Sequence, residues 1–174
     1  MNPTRLVTIN DVPALAELAR ANREFLAPWE PVRGDGYFTE DGQRALVTAG
    51  LERHRLRQSV PHVILDQSGQ VAGRVTLNDI VWGPFLSCHL GYWVSADQNG
   101  RGLATAAVRH IIEVAFGELG LHRIQAGTLL HNTGSQRVLE RNGFQRFGVA
   151  PQYLSIAGRW QDHALYQLIS DLGG

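Results

Sequence analysis

Two glycines between a strand-like run and an amphipathic helix constrain most strongly how this chain can fold. Gly100 and Gly102 lie in residues 98–104, and the helix that follows is predicted over residues 102–119. Glycine lets a backbone approach a ligand closely, and the unpaired N–H groups of a first helical turn favour an anion. The segment therefore predicts a site for a phosphorylated ligand, and Arg101 adds a positive charge to it. Simple turn geometry is the alternative reading.

Two better-known phosphate motifs do not fit this turn. A P-loop needs a lysine after its glycines, whereas all 16 basic residues of this chain are arginine. A dinucleotide-binding fingerprint needs a third glycine and opens a βαβ unit, whereas this turn lies late in the chain. The phosphate site is therefore of another type.

Hydrophobic periodicity and turn residues predict seven strands and four helices. The predicted strands are residues 6–9, 62–65, 70–81, 86–95, 122–130, 144–155 and 160–169. The predicted helices are residues 10–24, 39–58, 102–119 and 132–142, with Asn10 and Asn132 as N-caps. This order predicts an α/β (α+β) fold, a mixed and mostly antiparallel sheet with helices on both faces. At this length we expect a single domain over residues 1–174.

Composition excludes several classes of function. The formal net charge is zero, so no overall field attracts nucleic acid or an anionic membrane. No stretch approaches the roughly 18 apolar residues that span a bilayer, and the first residues lack the apolar run of a signal peptide. Cys88 is the single cysteine and is expected in the core. A cytoplasmic protein is therefore expected.

A second polar motif follows about thirty residues after the glycine turn, at the start of the last predicted helix. Asn132 and Ser135 are three residues apart, so they share a face near the helix start. Both side chains can also simply cap that helix, and spacing alone leaves this alternative open. The succession of glycine turn, helix, strand and second helix favours a joint site that presents an amide and a hydroxyl.

The chain resembles the GNAT N-acetyltransferases, and more narrowly the RimJ/RimL group that acetylates N-termini of ribosomal proteins, with RimJ the most similar. The segments that carry the resemblance are Asn22-Arg23-Glu24-Phe25-Leu26-Ala27-Pro28-Trp29-Glu30-Pro31, Leu90-Gly91-Tyr92-Trp93-Val94, Gly100-Arg101-Gly102-Leu103-Ala104, Asn132-x-x-Ser135, Gly143-Phe144 and Trp160-x-Asp162-His163. The resemblance implies the GNAT acyl-CoA N-acyltransferase fold, acetyl-CoA as co-substrate and no metal.

The resemblance also implies roles for individual residues. Ser135 would serve the departing thiolate, and Asn132 would hydrogen-bond the pantetheine or the thioester. Arg137, like Arg141, would reach the outer phosphates or else belong to a solvated face. The residues expected along the pantetheine arm and the pyrophosphate are Tyr92, Trp93, Val94, Asn99, Gly100, Arg101, Gly102, Ala104 and Thr105.

The sequence departs from the family at the positions of its usual bases. His89 stands where many relatives carry a glutamate, and Leu154 stands where some carry another carboxylate. His89 is a candidate base because imidazole titrates near neutrality; a histidine hydrogen-bonded inside the sheet is the alternative. Glu30 is a second candidate, either as base or as a group that binds the ammonium, with a solvated loop carboxylate as its alternative. Asp162 is expected to orient the terminal strand pair.

The acceptor is expected to be an amine bound by Asn22, Trp29, Glu30 and Tyr153. An α-amine with a pKa of about 7.8 is about a tenth neutral at pH 7, whereas a lysine near 10.4 is neutral about four times in ten thousand. A site with a weak base therefore favours the N-terminal α-amine of a protein, and the resemblance implies that this acceptor protein is a ribosomal protein. Acetylation of a small amine, such as an antibiotic, and a non-catalytic acyl-CoA sensor are the alternatives. No nucleic acid or membrane partner is expected, and the protein is expected to be a monomer or a homodimer.

Overall fold

The computed structural model describes residues 2–171 and contains one seven-stranded sheet. The strands are β1 (Thr4–Leu6), β2 (Val60–Leu65), β3 (Val71–Val81), β4 (Ser87–Val94), β5 (Arg123–Leu129), β6 (Gln145–Ile156) and β7 (Arg159–Ile169). Their order is β1-β2-β3-β4-β5-β7-β6. Every neighbouring pair is antiparallel except β4 and β5, which run parallel. The predicted mixed, mostly antiparallel sheet is confirmed.

Helices cover both faces of this sheet, as predicted. They are α1 (Val12–Ala21), α2 (Arg23–Leu26), α3 (Glu40–Arg55), α4 (Leu103–Glu113) and α5 (Thr133–Arg141). Adjacent residues of β2 belong to opposite faces, because strand side chains alternate. Ile64 joins the core cluster that contains Val108 and Ile111 of α4, whereas Val63 joins the cluster formed with Leu15 of α1 and α3.

Strands β4 and β5 separate after a short stretch of pairing, and this separation positions the site. Their parallel register covers Ser87, Cys88 and His89. Beyond it, residues 90–94 remain paired with β3 but have no partner on β5 among the described residues. Backbone N–H and C=O groups on that side of β4 are therefore available to a ligand. Cys88, at the paired end, is fully buried, and burial raises the pKa of its thiol to about 12.

Three predicted boundaries near the N-terminus are wrong. The first strand covers Thr4–Leu6 rather than residues 6–9. Asn10 does not cap the first helix. A 3₁₀ turn at Ile9–Asp11 leads into α1 instead, and it is fixed by Asp11 Oδ2, which accepts the Thr8 N–H at 2.8 Å, and by the Asp11 N–H, which donates to the Thr8 carbonyl at 3.1 Å. The helix also stops at Ala21, and α2 follows as a separate short helix.

The remaining differences are local. The third predicted helix changes at Val114 into a π-helical turn over Val114–Glu118, and Gly120, with a φ of 67°, follows it. Strand β6 has register shifts against β7 between residues 150 and 154. Gln152, with a φ of 45°, lies in this bulge, and its N–H donates to Asp162 Oδ1 at 2.8 Å. Asp162 thus orients the terminal strand pair, as expected from the sequence.

Candidate active site

A cavity of about 580 Å³ opens where β4 separates from β5. We call it the coenzyme cavity. Its walls come from the free end of β4, the glycine turn, the first turns of α4 and α5, and the end of α2. The lining residues are Phe25, Leu26, Trp29, Tyr92, Trp93, Val94, Gln98, Asn99, Gly100, Gly102, Leu103, Ala104, Thr105, His131, Asn132, Thr133, Gly134, Ser135, Arg137, Val138 and Arg141.

The glycine turn presents uncapped N–H groups to this cavity. Gly100 and Gly102 have φ values of 76° and 79°, a region that other residues enter only at a cost. Gly102 is the N-cap of α4, and no side chain caps that helix end. The first N–H groups of α4 therefore stay available for an anion. Thr105 lies in the first turn of α4. Its carbonyl accepts a hydrogen bond from Asn142 Nδ2 at 3.2 Å, and this bond connects α4 to the end of α5.

A second cavity of about 400 Å³ adjoins the first and is lined mainly by β3, β4, β5 and the loop that follows α2. We call it the acceptor cavity. It shares six lining residues with the coenzyme cavity: Leu26, Trp29, Tyr92, Trp93, Asn132 and Ser135. Its other lining residues are Glu30, Arg33, Tyr37, Arg74, Thr76, Asn78, Leu90, Gly91, Ala126, Gly127, Thr128, Leu129, Leu139, Leu154, Ile156 and His163. Two ligands, one in each cavity, would meet at the shared residues.

Two hydroxyls contact each other at this junction. Tyr92 Oη lies 2.8 Å from Ser135 Oγ, a contact in which either hydroxyl can donate. Tyr92 also donates to the Ser135 carbonyl at 3.1 Å. Burial raises the pKa of Tyr92 to about 12, so its phenol keeps its proton at neutral pH. The pair can hold a proton and deliver it to a group that becomes basic beside Ser135.

Asn132 caps α5, as the alternative reading held, and it also lines both cavities. Its Oδ1 accepts the Ser135 N–H at 3.1 Å, which fixes the start of the helix. The Nδ2 of Asn132 has no partner among residues 2–171. Ser135 does not act as a cap, because its hydroxyl is engaged with Tyr92.

Glu30 is the carboxylate that lines the acceptor cavity. Its side chain is 17% exposed, and its nearest cation, Arg33 Nε, lies at 3.9 Å. Burial raises the pKa of Glu30, and the charge of Arg33 offsets part of that rise. A carboxylate with a raised pKa is a better proton acceptor than a solvated one. Beside it, the ring of Trp29 lies 5.4 Å from the ring of His131.

A guanidinium that sequence reasoning missed also lines the acceptor cavity. Arg74 lies on β3, and its Nη2 donates to Gln43 Oε1 at 3.0 Å. Gln43 is a buried residue of α3, with 1% exposure, and its Nε2 donates to the Tyr37 carbonyl at 2.6 Å. The available sequence signal was Gln43, a polar residue on the buried face of a helix. The sequence does not reveal that this glutamine bonds Arg74 of β3.

Several predicted site residues lie outside both cavities. Arg101 is exposed and contacts Gln98. His89 lies in the paired end of β4, and its Nδ1 is buried without a hydrogen-bond partner among the described residues. Asn22 is buried and joins α1 to the end of β4, because its amide bonds the Leu18 carbonyl, Ser95 Oγ and the Ala96 N–H.

The late-strand positions divide between the cavity and its surroundings. Tyr153 lies in the β6 bulge, 38% exposed, with its ring 5.5 Å from that of His163. His163 lines the acceptor cavity, whereas Tyr153 does not. Leu154 does line it. The late strand therefore contributes an apolar side chain where some family members carry a carboxylate.

A sheet opened beside an uncapped, glycine-led helix, with a second cavity meeting the first at paired hydroxyls, has the arrangement of a transferase that brings a phosphorylated donor and an acceptor together. The comparisons agree with this class. The family model described as the acetyltransferase (GNAT) domain matches residues 4–145. The chain belongs to the GNAT acetyltransferase family and is an N-acetyltransferase.

The relatives narrow the subgroup to the RimJ/RimL type. The chain is 35% identical over 167 residues to the probable N-acetyltransferase YjcK of Bacillus subtilis (strain 168), covering 95% of this chain and 92% of the relative. It is 34% identical over 165 residues to the ribosomal protein uS5-alanine N-acetyltransferase of Escherichia coli (strain K12), covering 94% and 85%. Mycobacterium smegmatis RimJ, in complex with CoA-disulfide, has a TM-score of 0.93 at 30% identity, covering 97% of this chain and 81% of that one.

Proposed function

We propose that this protein acetylates the N-terminal α-amine of a protein, with acetyl-CoA as the donor and a ribosomal protein as the first acceptor to test. One observation carries the proposal: the coenzyme and acceptor cavities meet at Tyr92, Asn132 and Ser135. The similarity to uS5-alanine N-acetyltransferase supports a ribosomal acceptor. Cytoplasmic location follows from the same proposal.

The coenzyme cavity has the groups that acetyl-CoA needs. The uncapped N–H groups after Gly102 suit the pyrophosphate, and the unpaired side of β4 suits the amides of the pantetheine arm. Arg137 and Arg141 line the same cavity and would neutralise outer phosphates. When bound there, acetyl-CoA supplies an acyl group that is already activated as a thioester.

Within this arrangement the side chains at the junction move protons. Glu30 is proposed to accept a proton from the acceptor's ammonium, directly or through a water molecule, so that the neutral amine can react. The paired hydroxyls of Ser135 and Tyr92 are proposed to donate a proton to the leaving thiolate. Asn132 Nδ2 is proposed to orient the acyl group, because it is the amide donor at the junction.

The charge of the acceptor cavity favours an α-amine over a polycationic antibiotic. Its carboxylate is Glu30, whereas Arg33 and Arg74 supply two positive charges. A substrate with several ammonium groups would meet more repulsion than attraction there. A peptide N-terminus brings a single ammonium, which one carboxylate can match.

A thiol-release assay with acetyl-CoA tests the proposal. The acceptors are peptides that begin with Ala, Ser or Met, together with small amines that include aminoglycosides, and mass spectrometry locates the acetyl group. Cys88 is buried, with a pKa raised to about 12, so the native protein adds little background with a thiol reagent. Acetylation of the peptide α-amine is expected, and turnover of small amines alone would contradict the proposal.

A substitution distinguishes catalysis from simple binding of the coenzyme. Ser135→Ala should lower kcat by about 10²- to 10⁴-fold, the range for removal of a positioned proton donor, with little change in acetyl-CoA affinity. Ser155→Ala, which removes an exposed hydroxyl on β6, is the matched control and should retain full activity. Equal activity in both variants would refute the role of Ser135.

A further inference from the structure

Arg74 brings a positive charge to the acceptor cavity that none of the described carboxylates neutralises by direct contact. Its hydrogen-bond partner among residues 2–171 is the neutral amide of Gln43. Arg74 takes part in none of the ion pairs formed by these residues. The carboxylate of Asp11 acts on Arg74 only through its charge, and Arg5 already holds both oxygens of Asp11.

The guanidinium of Arg74 is held in position by a buried amide that is hydrogen-bonded at both ends. Gln43 is a polar side chain at 1% exposure on α3, and burial of an amide is unfavourable unless its groups are hydrogen-bonded. Both ends of this amide are used: Nε2 donates to the Tyr37 carbonyl at 2.6 Å and Oε1 accepts from Arg74 at 3.0 Å. The result is an oriented Arg74 with unused donors, since a guanidinium carries five N–H groups.

The negative charge of the acceptor cavity belongs to Glu30, which in the proposed function binds the ammonium of the acceptor. Glu30 is the carboxylate available to the acceptor's ammonium, and its contact with Arg33 is long, at 3.9 Å. Arg74 therefore remains as a separate cationic group in the same cavity. Burial lowers the pKa of Arg74, which reflects a solvation cost that an anionic ligand would offset.

We propose that Arg74 is a specificity residue that binds a carboxylate of the acceptor, so that preferred acceptors carry an acidic group near the amine that is acetylated. This inference rests on the proposed function and narrows its substrate class. Guanidinium and carboxylate make paired, charge-assisted hydrogen bonds, and Gln43 is the positioning residue. The carboxylate has two possible sources: an acidic side chain early in a peptide, or the α-carboxylate of a free amino acid.

Matched acceptors separate these sources. One set consists of peptides with C-terminal amides that differ only by Glu or Gln at the second, third or fourth position. The other set compares free amino acids with their amides. Each acceptor is assayed for kcat/KM and, independently of turnover, for binding to the enzyme–coenzyme A complex by isothermal titration calorimetry.

Wild-type enzyme should prefer a carboxylate acceptor over its amide by about tenfold or more, the usual range for hydrogen bonds to charged groups. Arg74→Gln should remove this preference by weakening the acidic acceptor alone, and Arg74→Lys should keep part of it. Gln43→Leu should raise KM for the acidic acceptor with little change in kcat. Arg44→Gln, at an exposed position of α3 next to Gln43, is the control and should keep the full preference.

Two results would overturn the inference: wild-type enzyme that uses or binds acids and amides equally, or a preference that survives in Arg74→Gln. A melting curve for each variant separates loss of fold from loss of recognition. If no α-amine is acetylated, the proposed function fails, and the calorimetric comparison still decides whether Arg74 selects a carboxylate.

Discussion

His62 should lower the free energy of unfolding of this protein as the pH falls below the ordinary histidine pKa of about 6.5. It lies on β2, where Thr4 Oγ1 is 2.9 Å from its Nδ1 and 2.6 Å from Nδ1 of His110. The hydroxyl has one proton, so it donates to one ring and accepts from the other. Burial lowers the pKa of His62 to about 4, with smaller contributions from the charges of His110 and His54.

The direction and size of the effect follow from that pKa. In the folded state the His62 ring stays neutral down to about pH 4, whereas in the unfolded chain it takes up a proton near pH 6.5. The contribution of neutral His62 to stability is therefore complete above pH 6.5 and is lost as the pH falls toward 4. A gap between 6.5 and about 4 corresponds to roughly 3 kcal/mol in full, at about 1.4 kcal/mol per pH unit. Between pH 7 and pH 5 the loss is about 1.8 kcal/mol, reduced to about 1 kcal/mol because His62 remains partly accessible to solvent.

Urea unfolding at pH 7 and pH 5 measures this loss. The quantity to compare is the change in unfolding free energy between the two pH values. A substitution of His62 also removes its hydrogen bond with Thr4, but that loss occurs at both pH values and cancels in the comparison. His62→Gln should show a smaller change than wild-type protein by about 1 kcal/mol. His122→Gln, at an exposed position, should behave as wild type. An equal change in wild type and His62→Gln would refute the reasoning.

Three further predictions concern the site. Tyr92→Phe should lower kcat by about tenfold or more, because Ser135 Oγ loses its hydrogen bond to Tyr92 Oη at 2.8 Å. The free energy of unfolding should fall by only about 1 kcal/mol. Steady-state kinetics measure the loss of activity, and urea unfolding measures the loss of stability. Gly102→Ala should weaken coenzyme A binding measured by calorimetry, because alanine disfavours the φ of 79° at which Gly102 presents the first N–H groups of α4; the added methyl itself meets no protein atom within 4 Å. Gly83→Ala, with a φ of 78° and the same open space, should cost similar stability without that loss. Glu30→Gln should remove the acidic limb of the kcat/KM–pH profile. In the wild-type enzyme the pKa of this limb should lie above that of an ordinary carboxyl group, because burial raises the pKa of Glu30. An unchanged limb in Glu30→Gln would exclude Glu30 as the base.

Most of the lining of the coenzyme cavity was predictable from the sequence because it is built from contiguous segments. A strand, the turn at Gly100 and Gly102, and α4 follow one another along the chain, and Asn132 and Ser135 lie on the first turn of one helix. Local rules of glycine conformation and helix periodicity are sufficient to place such groups.

Alternation along a strand identifies a face, but it does not say where a strand stops pairing. His89 was a candidate because it stands where many relatives carry a glutamate, and alternation places it on the same face of β4 as Gly91 and Trp93. It lies in the stretch still paired with β5, however, whereas Gly91 and Trp93 lie beyond the point of separation. Asn22 shows the same limit, since its amide bonds Ser95 across 73 positions of the chain, and no spacing rule reports that contact.

The acceptor half is assembled from side chains that are distant in sequence, and this has a consequence for specificity. Gln43 on α3 holds Arg74 on β3, 31 positions away, while Glu30 and Leu154 come from a loop and a late strand. None of these four residues lines the coenzyme cavity. A substitution at Arg74 or Gln43 can therefore alter the preferred acceptor while the groups that bind the coenzyme stay in place. The two cavities share Ser135 and Tyr92 as lining residues, so substitutions of these two residues should affect the acetylation of every acceptor alike.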